Sequence, residues 1–172
     1  MSSKPVLLRA FPPVAQPNAR ILILGSMPSA ASLSAQQYYA HPRNAFWSIL
    51  ATITRVAADA PYSERLSGLT DAGFALWDVL QCCERKGSLD SAIVDATSVT
   101  NDFAFFIGEH PYLERVVFNG AKAEQCFRRQ VLLPQSIRDG LEFRKLPSTS
   151  PAHASWSFQR KLKAWQEGLV GG

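Results

Sequence analysis

Apolar residues along the chain follow two rhythms. Short continuous runs alternate with stretches in which apolar residues recur every three or four positions. A continuous run reads as a strand covered on both faces of a parallel sheet, and a three-to-four spacing as one face of a helix. The run Ile21–Leu24 is ended by Gly25, and Pro28 stops it resuming, which predicts a first strand over residues 20–27. A loop of small and hydroxyl residues follows, with Tyr38, Tyr39 and then His41-Pro42-Arg43-Asn44. Phe46, Ile49, Leu50, Ile53 and Val56 predict a helix over 42–57, with Pro42 in its first turn, where a missing N–H costs nothing. Pro61 and Ser63 open a second helix that ends near Gly73.

Phe74–Leu80 reads as a second strand, with Asp78 near its carboxyl end. Residues 81–100 are polar and mixed, and no element is assigned to them. Asp102–Gly108 predicts a short helix, Arg115–Gly120 a third strand, and Ala121–Leu133 a helix stopped by Pro134. Leu141–Leu146 is a fourth strand, and Pro147 opens the loop Ser148–His153. The last helix covers 154–168, with Phe158, Leu162, Trp165 and Leu169 on one face. Pro5, Pro12, Pro13 and Pro17 make residues 1–19 an irregular lead-in. The alternation predicts an α/β fold: a three-layer α/β/α sandwich around a mainly parallel four-stranded sheet, in one domain over 20–169.

Composition changes this picture little. A 172-residue chain that is 47% hydrophobic can bury a sizeable core. Its formal charge of +4 and pI near 9.1 are compatible with a polyanionic partner. Cys82, Cys83 and Cys126 show neither a disulfide framework nor metal-ligand spacing, so no metal, iron–sulfur cluster or other cofactor is expected. No apolar run approaches a membrane span, and MSSKPVLLRAFPPV has no signal-peptide core, so a soluble, cytoplasmic protein is expected.

Candidate chemistry gathers at the predicted strand ends: Gly25-Ser26, Asp78, Asn119-Gly120 and Ser148-Thr149-Ser150, with Asn44 in the first long loop. In open α/β sheets, ligands sit outside the carboxyl ends of the strands. Amides and hydroxyls bind polar rings and position water rather than attack by themselves. The GxxxxGK[ST], GxGxxG and GxSxG patterns are absent. An esterase-like hydrolase with Ser26 as nucleophile and His153 as base remains open, although no acid neighbours His153 in sequence. Plainer roles exist for each residue. Tyr38 and Tyr39 can pack the loop, His41 can serve a turn, Asn44 can start a helix and Asp78 can cap one. Arg128, Arg129, Arg160, Lys161 and Lys163 can form a solvated helix face.

Taken together, Gly25-Ser26-Met27-Pro28, Tyr39-Ala40-His41-Pro42-Arg43-Asn44-Ala45-Phe46-Trp47, LWDVL, GSLD and LPSTSPA resemble the uracil-DNA glycosylase superfamily from Ile21 to about Trp165. The pattern is most like the hypoxanthine-DNA glycosylase branch. The resemblance implies hydrolysis of the N-glycosidic bond of a deaminated base (hypoxanthine, with uracil or xanthine as further possibilities) flipped out of DNA. Met27 stands where relatives carry an aspartate or asparagine that handles water, and a thioether can do neither. Asn44 is therefore the catalytic candidate. Gly25, Ser26, Met27, Tyr39, Asp78 and Asn119 would bind the base, with Tyr39 stacking on it. His41, Arg43, Ser148, Thr149, Ser150, His153 and Ser155 would contact DNA. The Ser150–Ser155 loop would be the wedge, with Ala152 or His153 at its tip. No lysine lies in these motifs, so a monofunctional enzyme is expected, a monomer associated with the nucleoid. A non-catalytic damaged-DNA-binding protein is the third reading, because Met27 is inert.

Overall fold

The structure, a computed structural model, describes residues 6–171. Four strands, β2 (Ile21–Gly25), β3 (Phe74–Asp78), β6 (Arg115–Asn119) and β7 (Glu142–Leu146), form a parallel sheet in the order β3-β2-β6-β7. Strand parity explains the continuous apolar runs. Ile21 and Ile23 enter one core cluster, and Leu22 and Leu24 the other. Val117 likewise faces opposite to Val116 and Phe118. Helices α2 (Phe46–Thr54), α3 (Tyr62–Asp71) and α6 (Phe158–Val170) cover the face of Ile21 and Ile23, through Phe46, Ile49, Leu69 and Trp165. Helices α4 (Phe103–Glu109) and α5 (Ala121–Phe127) cover the other, through Phe103, Phe106, Cys126 and Phe127. The three-layer α/β/α arrangement and the parallel four-stranded sheet are as the sequence predicts.

A second sheet was not predicted. Strands β1 (Leu7–Arg9), β4 (Leu80–Arg85) and β5 (Ile93–Thr100) form it, antiparallel, in the order β1-β4-β5. Residues 81–100 hide it because the β4–β5 register is broken by irregularities and β5 is mostly solvated, so no period-two pattern survives. The expected run Phe74–Leu80 divides at Val79, where the chain leaves one sheet for the other. In the expected lead-in, Leu7–Arg9 pairs with β4 and Val14 bridges to Leu76, so it is not wholly irregular. Its residues 1–5, Pro5 included, lie outside the described residues.

Helix ends also shift. α2 starts at Phe46 rather than at Pro42, because the Asn44 Oδ1 accepts the Phe46 N–H and residues 42–43 form a turn. α6 starts after Ser157, whose hydroxyl accepts the Arg160 N–H, rather than at residue 154. α5 gives way at Arg128 to a π-helical stretch that ends at Leu132. A short unpredicted helix, α1 (Ala30–Ala35), is capped by Ser29 and lies inside the first long loop. Among the described residues, no helix is long and apolar enough to cross a membrane.

Candidate active site

The carboxyl ends of all four parallel strands open into one cavity of about 570 Å³. Gly25, Ser26 and Met27 come from the end of β2, Asp78 from β3, Asn119 from β6, and Ser148, Thr149, Ser150 and His153 from the loop after β7. Tyr39 and Asn44 reach it from the loop before α2. Three expected residues stay outside. The His41 Nδ1 accepts the Arg43 N–H at 3.1 Å and serves its own turn. Arg43 borders a smaller groove beside Trp156 and Lys161. Ser155 is exposed and lines neither.

The cavity wall is most unusual at Gly25. A Cβ there would stand 2.5 Å from the Asp78 Oδ1 and 2.9 Å from the Tyr39 hydroxyl, so only glycine fits. Both oxygens converge on this backbone. The Asp78 Oδ2 and the Tyr39 hydroxyl are each buried without a hydrogen-bond partner. Native proteins rarely leave such groups unpaired unless a ligand or water completes them. Burial, and secondarily the negative charge of Asp90, push the Asp78 carboxyl up to about 7, while the Arg85 guanidinium opposes the rise. Burial first, then Asp78, push the Tyr39 phenol far above its ordinary range. Tyr39 therefore stays a neutral donor at every working pH.

Tyr39, expected to stack on a base, lines the cavity and already uses one face of its ring. Its ring is stacked on Phe46 at 4.0 Å between centroids, and its backbone holds a left-handed φ of 53°. It offers the cavity a hydroxyl. Tyr38 is structural: its hydroxyl donates to the Pro12 carbonyl at 2.9 Å, and its own carbonyl accepts the Trp47 indole N–H. Asn44 combines both readings of it. One lone pair of its Oδ1 is taken by Phe46, at 3.0 Å, which fixes the amide at the cavity edge. An amide oxygen has a second lone pair, and the NH2 group adds two donors.

Asn119 is chiefly a tether. Its Oδ1 accepts the Thr149 N–H and its Nδ2 donates to the Thr149 Oγ1, each at 2.9 Å. Thr149 in turn accepts the Ala45 N–H through its carbonyl at 3.0 Å. The loop after β7 is thus bound to both the β6 end and the start of α2. Gly120, at φ +96°, allows this approach, since a Cβ there would meet the Ser148 Cβ at 3.1 Å.

Several residues in and around the cavity escaped the sequence reading. Asp90 accepts the Ser26 hydroxyl at 2.5 Å. Arg85 is buried, donates to the Pro28 and Gly87 carbonyls, and so ties the β2 turn to the GSLD segment. Lys122 lines the cavity, but its ammonium pairs with Asp95 at 2.8 Å. Burial works against the Lys122 charge, and the acids around it more than compensate, leaving its pKa raised. Lys161, read as part of a solvated face, is buried; its ammonium donates to the His153 carbonyl at 2.6 Å and the Ser150 carbonyl at 3.4 Å. The GSLD motif was the available signal for Asp90. The other three had none. No hydrogen bond joins Ser26 to His153 among the described residues, and the serine is committed to Asp90, so a Ser–His catalytic pair is not assembled. Among the described residues no cluster of three or more His, Cys, Asp or Glu side chains could hold a metal ion.

A three-layer α/β/α sandwich whose parallel sheet opens at its carboxyl edge into a cavity, flanked by a pinned Ser/Thr loop, has the ligand site of an open α/β fold. The family model for the uracil DNA glycosylase superfamily matches residues 12–168, and the chain belongs to that superfamily. It is similar to a hypoxanthine DNA glycosylase of Methanosarcina acetivorans, with 37% identity over 162 residues covering 94% of this chain and 97% of the relative. It is also 39% identical, over 118 residues, to a hypoxanthine DNA glycosylase of Methanosarcina barkeri, covering 67% of this chain and 72% of that one. A solution NMR structure from Methanosarcina acetivorans, described as a candidate uracil DNA glycosylase, superposes with a TM-score of 0.76 at 35% identity, covering 95% and 97% of the two chains.

Proposed function

We propose that this DNA glycosylase hydrolyses the N-glycosidic bond of hypoxanthine in DNA, with uracil and xanthine as further substrates, and leaves an abasic site. The observation that carries the reading is the buried Asp78 carboxyl and Tyr39 hydroxyl beside Gly25: the Asp78 Oδ1 and the Tyr39 hydroxyl stand against that glycine, and the Asp78 Oδ2 and the same hydroxyl have no hydrogen-bond partner among the described residues. They await a planar polar ring. Hypoxanthine, uracil and xanthine all present a ring N–H beside a carbonyl. Ionised Asp78 accepts the ring N–H. The Tyr39 hydroxyl and the backbone N–H groups of the Ser26–Met27 turn hold the carbonyl and stabilise charge on the departing base.

A base within a duplex cannot reach this cavity, so it must be flipped out, which costs roughly a few kcal/mol and least at a mismatch. Asn44, fixed by Phe46, positions water against the sugar carbon as an oxocarbenium-like state develops. An amide is a weak base, so orientation and electrostatics supply most of the rate. The ammonium of Lys122 is engaged by Asp95 and carries no free amine pair, which supports a monofunctional reaction without a Schiff base. Arg43, the Ser148 and Ser150 hydroxyls and the His153 region take the DNA backbone, whereas the Thr149 hydroxyl is buried against Asn119.

The test is incubation with duplexes carrying each deaminated base, scored for abasic sites by alkali. Alkali-dependent cleavage at hypoxanthine, without cleavage beforehand, is the expected result. No abasic sites on any duplex would leave a damage-binding protein as the better reading. Borohydride trapping of a protein–DNA adduct would overturn the monofunctional step.

A further inference from the structure

Behind the cavity wall lies a charge that the chemistry above does not use. Arg85 ends β4 and is 7% exposed. Its Nη2 donates to the Pro28 carbonyl at 2.6 Å, and its Nε to the Gly87 carbonyl at 2.8 Å. Its Nη1 is buried and has no hydrogen-bond partner among the described residues. No carboxylate among those residues lies within ion-pair distance of it. A buried cation answered only by carbonyls is costly. Departures of this kind gather at functional sites, so the guanidinium calls for a role.

The segments that Arg85 joins are joined again on either side of it. The Ser26 hydroxyl donates to Asp90 at 2.5 Å, and the Ala30 N–H donates to the Ser88 hydroxyl at 2.9 Å. Arg85 holds the turn between these ties, at Pro28. Gly25, Ser26 and Met27 of the same turn line the cavity, whereas Arg85 stands behind them and does not. Its charge also reaches the cavity floor. Asp78 feels Asp90, of like sign, and Arg85, of opposite sign. Tyr38, Tyr39 and Tyr62 bear on the same carboxyl as neutral phenols. Lys122 is engaged by Asp95 and bears on Asp90 rather than on Asp78. Arg85 is therefore the cation of this group that answers Asp78.

We infer that Arg85 is a positioning residue for base excision: from behind the wall it holds the Ser26–Pro28 turn and supplies the positive charge against which Asp78 becomes the carboxylate that receives the base. The part played in excision rests on the glycosylase reading above, but Asp78 titrates with or without DNA, so the two can fail separately. Carboxyl-labelled aspartate followed by 13C NMR reads the titration, and the signal missing from Asp78→Asn identifies it. Arg85→Gln keeps a donor and loses the charge, whereas Arg85→Lys keeps the charge and loses the fork. Wild-type Asp78 should titrate at about 7. In Arg85→Gln it should titrate at a pH about one higher, and in Arg85→Lys within about 0.3 of wild type. The rising limb of single-turnover excision should move with it, so that the deficit of Arg85→Gln is roughly tenfold larger near pH 6 than near pH 9. Loss that persists at high pH reports the loosened turn and should be shared by Arg85→Lys. Arg85→Met, with no polar atom to strand, is the second neutral variant and should displace Asp78 equally; if neither neutral variant folds, Arg85→Lys decides. An Asp78 titration that stays at the wild-type pH in a folded neutral variant, or one that Arg85→Lys fails to hold there, would overturn the inference. So would a rate deficit equal at every pH. A wild type that leaves no abasic site while the NMR titrations behave as expected would overturn the glycosylase reading and leave the coupling of Arg85 to Asp78 standing.

Discussion

Replacing Asp78 by asparagine isolates the buried carboxylate. The side chain is 3% exposed and its pKa is pushed from 3.8 to about 7. Between those values the folded chain keeps a proton that the unfolded chain has released, so stability falls as pH rises from about 4 to 7. The gap of about three units corresponds to about 4 kcal/mol at 1.36 kcal/mol per unit. Asparagine keeps the shape and does not titrate. Calorimetry from pH 4 to pH 9 should therefore show Asp78→Asn gaining on wild type as pH rises, by roughly 8–16 °C in Tm at pH 8, given about 2–4 °C per kcal/mol for a chain of this size. The rate should move the other way. Ionised Asp78 accepts the ring N–H, so wild-type kcat/KM should climb with pH through about 7, and Asp78→Asn should be slower and lack that limb. Parallel Tm curves for the two proteins across the whole range would refute the reasoning, because they would mean that Asp78 is not an ionising, desolvated group.

Asn44→Ala should fold with a Tm only a few degrees lower, as for a lost helix-start bond, while single-turnover excision falls by about two orders of magnitude or more; a folded variant with near-wild-type excision would make the residue structural. Gly25→Ala drives a Cβ into the Asp78 and Tyr39 oxygens, so abasic-site formation should be lost in a protein that circular dichroism finds folded; retained activity would place the base elsewhere. Lys161→Met removes a charge that burial already disfavours, so Tm should hold or rise, whereas affinity for damaged duplex should drop as the Ser150 and His153 carbonyls lose their donor; unchanged affinity by fluorescence anisotropy would detach the loop from DNA binding. Affinity should also fall with salt, with a log–log slope of about 0.9 for each phosphate contact; a flat dependence would exclude phosphate contacts.

The parallel sheet was legible because each of its central strands is buried on both faces, which leaves an unbroken apolar run in the sequence. Its carboxyl edge could then be located by topology alone, and Gly25, Asp78, Asn119 and Ser148–Ser150 followed. The second sheet was not legible, since β1 has three residues and β5 is largely solvated. The electrostatic frame of the cavity was hidden for a different reason. Arg85 reaches Pro28 across 57 positions, and Asp90 reaches Ser26 across 64, so no local pattern records either contact. Lys161 was misread because its partners are main-chain carbonyls, which no residue type advertises.

That last contact bears on how the loop after β7 can change. The indole N–H of Trp165 donates to the Pro147 carbonyl at 2.8 Å, and Lys161 takes those of Ser150 and His153. One helix thus grips three carbonyls, and every amino acid supplies a carbonyl. The path of the loop is set by α6, and much less by the identities of the side chains it displays. Substitutions at Ser150, Ala152 or His153 can retune what the loop says to DNA without redirecting where it runs. A library varied at those three positions should stay folded more often than one varied at Trp165, which is fully buried.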